Sequence, residues 1–306
     1  MPYRISRLTL GLVTVFLISA MDVGADSEKN IYFGELHLHT TFSLDGYSYG
    51  SKLDPDAAYR YAKGEPVRVP YEQLSYQQGL ERPDGMVIRR SRPLDFMAVT
   101  DHSEGMGTLR PLLDQESALS RSDQGKKILA DAGYVGRIRL AVRDELAEMM
   151  GLNTEELSFL RDKDAMIDAW EITKKAANDN YEPGVFTTLI AYEWSAFGQA
   201  EMAILLRNVY FVSDDAPQPF TAADTSNPEE LWAYMGQARR DGYDSIAVPH
   251  NGNVSNGQMF SAQDVNGDPL DKSYAQARSE NEPLYEISQT KGTSETMPDL
   301  SPLDEF

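Results

Sequence analysis

The sequence contains no cysteine. That absence excludes disulfides, thiolate metal ligands and a cysteine nucleophile together. Histidine is scarce, with four in 306 residues, and positive charge is in deficit, with 28 Lys and Arg against 48 Asp and Glu for a net charge of -20. Such a balance argues against a general nucleic-acid surface, which needs clustered cations to release counterions. It also gives an anionic substrate an unfavourable long-range field, so capture would fall to local cations or metal. Leu8 to Ala20 is the apolar run at the start of the chain, and it is shorter than the roughly 20 residues that span a bilayer. Arg4 and Arg7 precede it and Val23-Gly24-Ala25 follows it. The pattern predicts an export signal over residues 1–25, cleaved to leave no stable membrane anchor and a secreted or periplasmic chain of residues 26–306. A lipoprotein is excluded because no cysteine follows the run.

What remains is ordinary globular composition, 41% hydrophobic and 25% charged, with room for one large α/β domain or two small ones. No internal repeat or low-complexity tract interrupts it. Ile31 to His39 alternates and predicts a strand. Asp54-Pro55 is an N-cap followed by proline at the first helical position, and Gly64 closes that helix. Tyr71 to Arg92 is polar and broken, a loop with room for a hairpin. Leu94 to Thr100 predicts a buried strand running into Asp101-His102. Residues 115–180 are mostly helical in pattern, with Thr154 as a capped start, and are longer than a simple crossover needs. Phe186 to Tyr192, Asn208 to Val212, Ser245 to Pro249 and Leu284 to Ser288 predict further strands, and Asn227-Pro228 starts a helix ended by Gly242. Repeated βα units imply a parallel sheet or barrel, whose site lies at the carboxyl ends of the strands.

All four histidines fall at such ends: His37, His39, His102 and His250, joined by Asp101 and Glu193. Positions i and i+2 of a strand face one side, so His37 and His39 can share a cation. Imidazole and carboxylate without thiolate suit zinc, manganese or iron. A bound divalent cation would activate water and polarise a phosphoryl or carbonyl oxygen, giving hydrolysis at neutral pH without a protein nucleophile. Asp101 has two open readings, as an acid/base or as a carboxylate that orients His102.

The stretch FGELHLHTTFSLDG (33–46) resembles the first motif of the PHP (polymerase and histidinol phosphatase) superfamily. More narrowly it is similar to the domain of unknown function 3604 branch, as are RPLDFMAVTDHSEGMG (92–107), AYEWS (191–195), VPHNGNVSNGQMF (248–260), NEPLYEISQTKGTSE (281–295) and SPLDEF (301–306). The resemblance implies a distorted, TIM-like (β/α)7 barrel, here with a helical insertion around 115–180. It implies one to three divalent metals and a phosphoesterase-like activity. His37, His39, Glu193 and Glu295 would form a first metal site. His250 would belong to a second with Glu193 bridging, and Asp45 and His102 to a third. Two positions depart from the branch: Leu206 and Met297 stand where it commonly has histidine. Leu cannot bind metal and a Met thioether is a poor ligand for hard ions. Branch members also extend past a DEF stretch like the last three residues, which leaves the expected barrel open to being incomplete at its C-terminus.

Arg60, Lys63 and Lys291 are candidates for holding a substrate anion, each weighed against an ordinary surface salt bridge. Asn251 and Asn253 flank Gly252 after His250 and suit either substrate contact or turn chemistry. Three functions are compatible with these residues. The leading one is an exported metal-dependent phosphoesterase-like hydrolase of a small, anionic molecule. The others are a barrel that binds metal or ligand without turnover, and an amide or lactone hydrolase.

Overall fold

The computed structural model describes residues 30–69, 85–131, 134–135, 153–197, 203–289 and 292–295. The expected export signal, the segment 137–150, Lys291, Met297 and residues 301–306 lie outside them. Contacts divide the chain after Ile31, and the fold is that of the unit from Tyr32 onward.

Its centre is a curled, half-barrel sheet of five strands: β1 (Gly34–Glu35), β4 (Phe96–Ala98), β5 (Thr187–Phe197), β6 (Ile204–Phe211) and β7 (Ser245–His250), in the order β1-β4-β5-β6-β7. A small antiparallel pair joins β2 (Val67–Val69) to β3 (Met86–Ile88), so only one of its strands falls within the 71–92 segment expected as a loop with room for a hairpin. A second pair joins β8 (Ser288–Gln289) to β9 (Gly292–Thr293). β1, β4 and β5 run parallel, as expected, but β6 is antiparallel to both β5 and β7. The departure from an all-parallel sheet has a local cause: the connection 198–203 is too short for a crossover, which takes a dozen or more residues.

The helices are α1 (Leu44–Ser48), α2 (Pro55–Ala62), α3 (Ala118–Arg121), α4 (Asp123–Ala130), α5 (Lys163–Asn180), α6 (Pro228–Arg240) and α7 (Lys272–Asn281). The caps expected for α2 and α6 form: Asp54 accepts from the Ala57 N–H, and Asn227 from that of Glu229. Thr154 is not a cap. It begins a run of turns, and Asp162 caps α5 by accepting from the Ala165 N–H. Among the described residues, no helix is long and apolar enough to cross a membrane.

Strand alternation splits the sheet into two faces. The convex face buries Met97, Tyr192, Trp194, Val209 and Phe211 against Trp170 of α5, Leu231 and Met235 of α6, and Tyr59 of α2. The concave face packs Ala98, Ala191 and Tyr210 with Leu189, Ile246 and Val248. Above this small apolar floor, alternation brings Glu193, Ser195 and His250 to the same concave side.

Candidate metal centre

Each histidine reaches the site by a different backbone route. The segment carrying His37 and His39 leaves β1 and runs beside β4, with the Thr100 N–H donating to the Leu38 carbonyl at 2.8 Å. His102 follows β4 and bridges in parallel to Glu193 of β5. His250 ends β7, and Leu206 of β6 pairs with both His250 and Ser195.

Glu193 is the hub, its side chain 1% exposed. Its Oε2 lies 3.2 Å from His37 Nε2 and 2.8 Å from His39 Nε2. Its Oε1 lies 3.1 Å from His250 Nε2 and 3.6 Å from His102 Nδ1. Two groups of ligand atoms result, each mutually within 4.8 Å: His37, Glu193, His250, and His39, His102, Glu193. The outer nitrogens are also occupied. His39 Nδ1 is 2.9 Å from both oxygens of Asp45, and His102 Nε2 is 3.3 Å from Asp45 Oδ2. His37 Nδ1 is 2.8 Å from Glu286 Oε2.

Charge follows this geometry. Burial alone would lower the His37 pKa, yet hydrogen bonds to Glu193 and Glu286 push it up to about 9. His39 and His102 are likewise raised against burial by Glu193 and Asp45. His250 is lowered because burial outweighs the pull of Glu193, which leaves it a neutral, ligand-competent imidazole. Burial works against the ionised Glu193, but His102 and His250 hold its pKa well below the usual range. Three carboxylates thus face four imidazoles in a largely dry site. That donor set fits a divalent cation.

The signs fix a pH dependence. A folded-state pKa of about 9 for His37 contributes stability that is complete below the unfolded value of roughly 6.5 and lost as pH rises through 9. His39 and His102 act in the same direction. His250, lowered, costs stability as pH falls below that unfolded value. In chelator, thermal melting is therefore expected to drop between pH 6.5 and 9. With zinc or manganese present the drop is expected to shrink, because cations replace the lost protons. Melting curves with and without metal check this.

Sequence-predicted residues scatter around the hub. His37, His39, Asp45, His102, Glu193 and His250 converge. Glu295 does not: Ser294 points inward, its Oγ accepting from the Asn251 N–H at 3.2 Å, and Glu295 is left facing solvent. Glu286 is the carboxylate at His37 instead. Asp101 is fully buried, and its two oxygens accept from the Thr40 N–H and Oγ1, both at 2.6 Å. It therefore clamps the turn after His39 rather than orienting His102. Burial pushes its carboxyl up to about 6 against those Thr40 hydrogen bonds. Arg60 pairs with Glu65 at 3.1 Å and Asp56 at 3.7 Å, and Lys63 with Glu65 and Glu182, so these cations are spent at α2. Asn251 adopts the left-handed conformation, φ 53°, and its Oδ1 accepts from Gln289, a turn role. Asn253 is half-buried, and its Oδ1 has no hydrogen-bond partner among the described residues.

Sequence reading missed Glu286 and Ser195. Ser195 carried a usable signal, two residues after Glu193 in a strand. Glu286 falls in the segment expected as a strand over Leu284 to Ser288, but that segment is irregular up to Ile287, with strand only at Ser288–Gln289, and it is positioned by the Glu286 N–H donating to the Pro249 carbonyl at 3.0 Å.

A family model described as protein of unknown function (DUF3604) matches residues 26–306. No curated protein and no solved structure matches the chain.

Proposed function

The chain belongs to the DUF3604 family, and from that membership and the imidazole-ringed Glu193 we propose that it is a metal-dependent hydrolase of the PHP superfamily. In this reading it is exported, its half-barrel is part of a distorted (β/α)7 barrel, and its substrate is a small phosphoester. The observation that carries the proposal is one buried carboxylate shared by two histidine-bearing triads.

His37, Glu193 and His250 would hold one cation, and His39, His102 and Glu193 another. Zinc, manganese or iron there supplies Lewis acidity and lowers the pKa of water. The rest is the work of the chain. Glu193 fixes the spacing of the two seats. Asp45 orients His39 and His102, and Glu286 orients His37, by accepting at their outer nitrogens. Asp101 and Thr40 lock the turn that carries His39. Cations at these seats would offset the local carboxylates and open the otherwise acidic surface to an anion.

Leu206 favours a second reading. It sits between Ser195 and His250 on the concave face and offers no ligand, which suits a site that binds metal without turnover. The two readings part on a panel of phosphomono-, phosphodi- and carboxyl esters, amides and lactones, assayed with added zinc, manganese or iron. The hydrolase reading expects phosphoester turnover that chelator abolishes. Metal binding without turnover on any substrate supports the binding module. Turnover confined to the carbon centres moves the chemistry to an amide or lactone hydrolase.

A further inference from the structure

Asp45 is the carboxylate that His39 and His102 share, and the short helix α1 that carries it is held from two sides. On one side Gly46 lies against the turn that bears His39. A Cβ at this position would stand 2.1 Å from the Thr40 carbonyl oxygen and 3.4 Å from the His39 Cβ, so only a glycine lets the helix come this close. The contact sets the reach of Asp45, whose oxygens lie 2.9 Å from His39 Nδ1 and whose Oδ2 lies 3.3 Å from His102 Nε2.

On the other side stand Leu44 and Tyr47, an i, i+3 pair that shares one helical face. Both are buried, yet neither belongs to the core on the convex face of the sheet. They join a second core built by the segment 109–160, with Leu109, Leu112, Ile128, Val135, Leu157 and Leu160. Among the described residues, Leu44 and Tyr47 are its only buried members from outside that segment. A helix of five residues is too short to be stable on its own, and the Ser43 side chain makes no cap hydrogen bond. The position of α1 therefore comes from what it packs against.

We propose that the helical insertion is a working part of the metal centre: its core presses α1 onto the His39 turn and so holds Asp45 at His39 and His102. Leu44, Tyr47 and Ile128 are then positioning residues that act through Asp45. This rests on the reading of the cluster as a cation site. With Asp45 at the outer nitrogens, His39 Nε2 and His102 Nδ1 are left turned toward Glu193. The insertion therefore supports the His39–His102–Glu193 seat and not the His37–Glu193–His250 seat.

The full chain and its Asp45→Ala, Ile128→Ala, Ile128→Val and Gly46→Ala variants, with the Asp45→Ala, Ile128→Ala double variant, are each titrated with zinc alone against a competing chelator. Melting curves identify the folded variants, and bound zinc is counted by mass spectrometry. The wild type is expected to bind two ions. Asp45→Ala is expected to weaken one about 10- to 100-fold and to spare the other. Ile128→Ala and Gly46→Ala are expected to weaken one ion by about 10-fold, and Ile128→Val, which keeps most of the side chain, to bind both as the wild type does. Adding Ile128→Ala to Asp45→Ala is expected to bring no further loss, because the two changes act along one line of contacts. Wild-type affinity in Ile128→Ala overturns the inference, as does equal weakening of both ions or an additive loss in the double variant. If Ile128→Ala does not fold, Gly46→Ala decides in its place, and wild-type affinity there overturns the inference. A wild type that binds no zinc overturns the cation reading itself.

Discussion

Glu193→Gln is expected to strip the protein of bound metal, weakening both seats by at least about 100-fold. Removing a partner that merely orients a ligand typically costs 10- to 100-fold, and Glu193 is placed to bridge both triads. The amide keeps the shape but loses the charge and one acceptor oxygen, so one pair of imidazoles would face an NH2 group. The variant also has a signature without metal. His37 owes its raised pKa to Glu193 and Glu286, working against burial, so the alkaline loss of stability between pH 6.5 and 9 should flatten. Metal content and melting in chelator read the two effects separately. Unchanged metal content would place any bound cation away from this cluster.

Glu282→Ala is expected to be the most damaging change to the scaffold, at about 3–5 kcal/mol. Glu282 and Arg207 are each 1% exposed, with Arg207 Nε 2.5 Å from Glu282 Oε1. The same oxygen accepts from Trp232 Nε1 of α6 at 2.8 Å, and Oε2 accepts from Arg278 of α7 at 3.0 Å. One carboxylate therefore ties β6, α6 and α7 together, while Arg207 also lies over the Trp194 ring at 5.5 Å. Truncation would leave a buried guanidinium without its counter-ion, which costs more than the pair itself contributes. For a unit of this size the melting temperature should fall by about 10 °C. Arg207 lies on the convex face, opposite Glu193, so folded variant protein should still bind metal with near wild-type affinity. Denaturant unfolding with metal titration checks both halves. A loss below about 1 kcal/mol would mean that the pair is relieved by water or by a neighbouring chain segment.

These two sites differ in how legible they were in the sequence. The concave cluster was accessible because its logic is local: the strand expected over Ile31 to His39 is confined to Gly34–Glu35, yet the i, i+2 spacing still turns His37 and His39 to the same Glu193 oxygen, and the other histidines and Glu193 stand at the ends of apolar runs. The partition of ligands was not. His37 meets Glu286 across 249 residues of chain, and strand alternation says nothing about which distant carboxylate arrives there. Glu295 resembled a ligand by its place in a motif, but Ser294 takes the inward position. Asp101 sits beside His102 in the chain, yet its oxygens turn to Thr40, because neighbours in an extended segment point to opposite sides. The antiparallel course of β6 did not show in the hydrophobic pattern, because strand direction depends on connection length, and only the short 198–203 link carries it. The Arg207–Glu282 tie was equally invisible, since each residue alone reads as an ordinary surface charge.

Metal content tests most directly whether Glu193 and the four imidazoles hold a cation. The protein is purified without added chelator, then dialysed against zinc and separately against manganese, and bound metal is counted by mass spectrometry for wild type and Glu193→Gln. At least one and up to two ions per wild-type chain are expected, and almost none in the variant. A wild-type chain that stays metal-free in both dialyses, or a variant that retains the full complement, would contradict a cation site at Glu193.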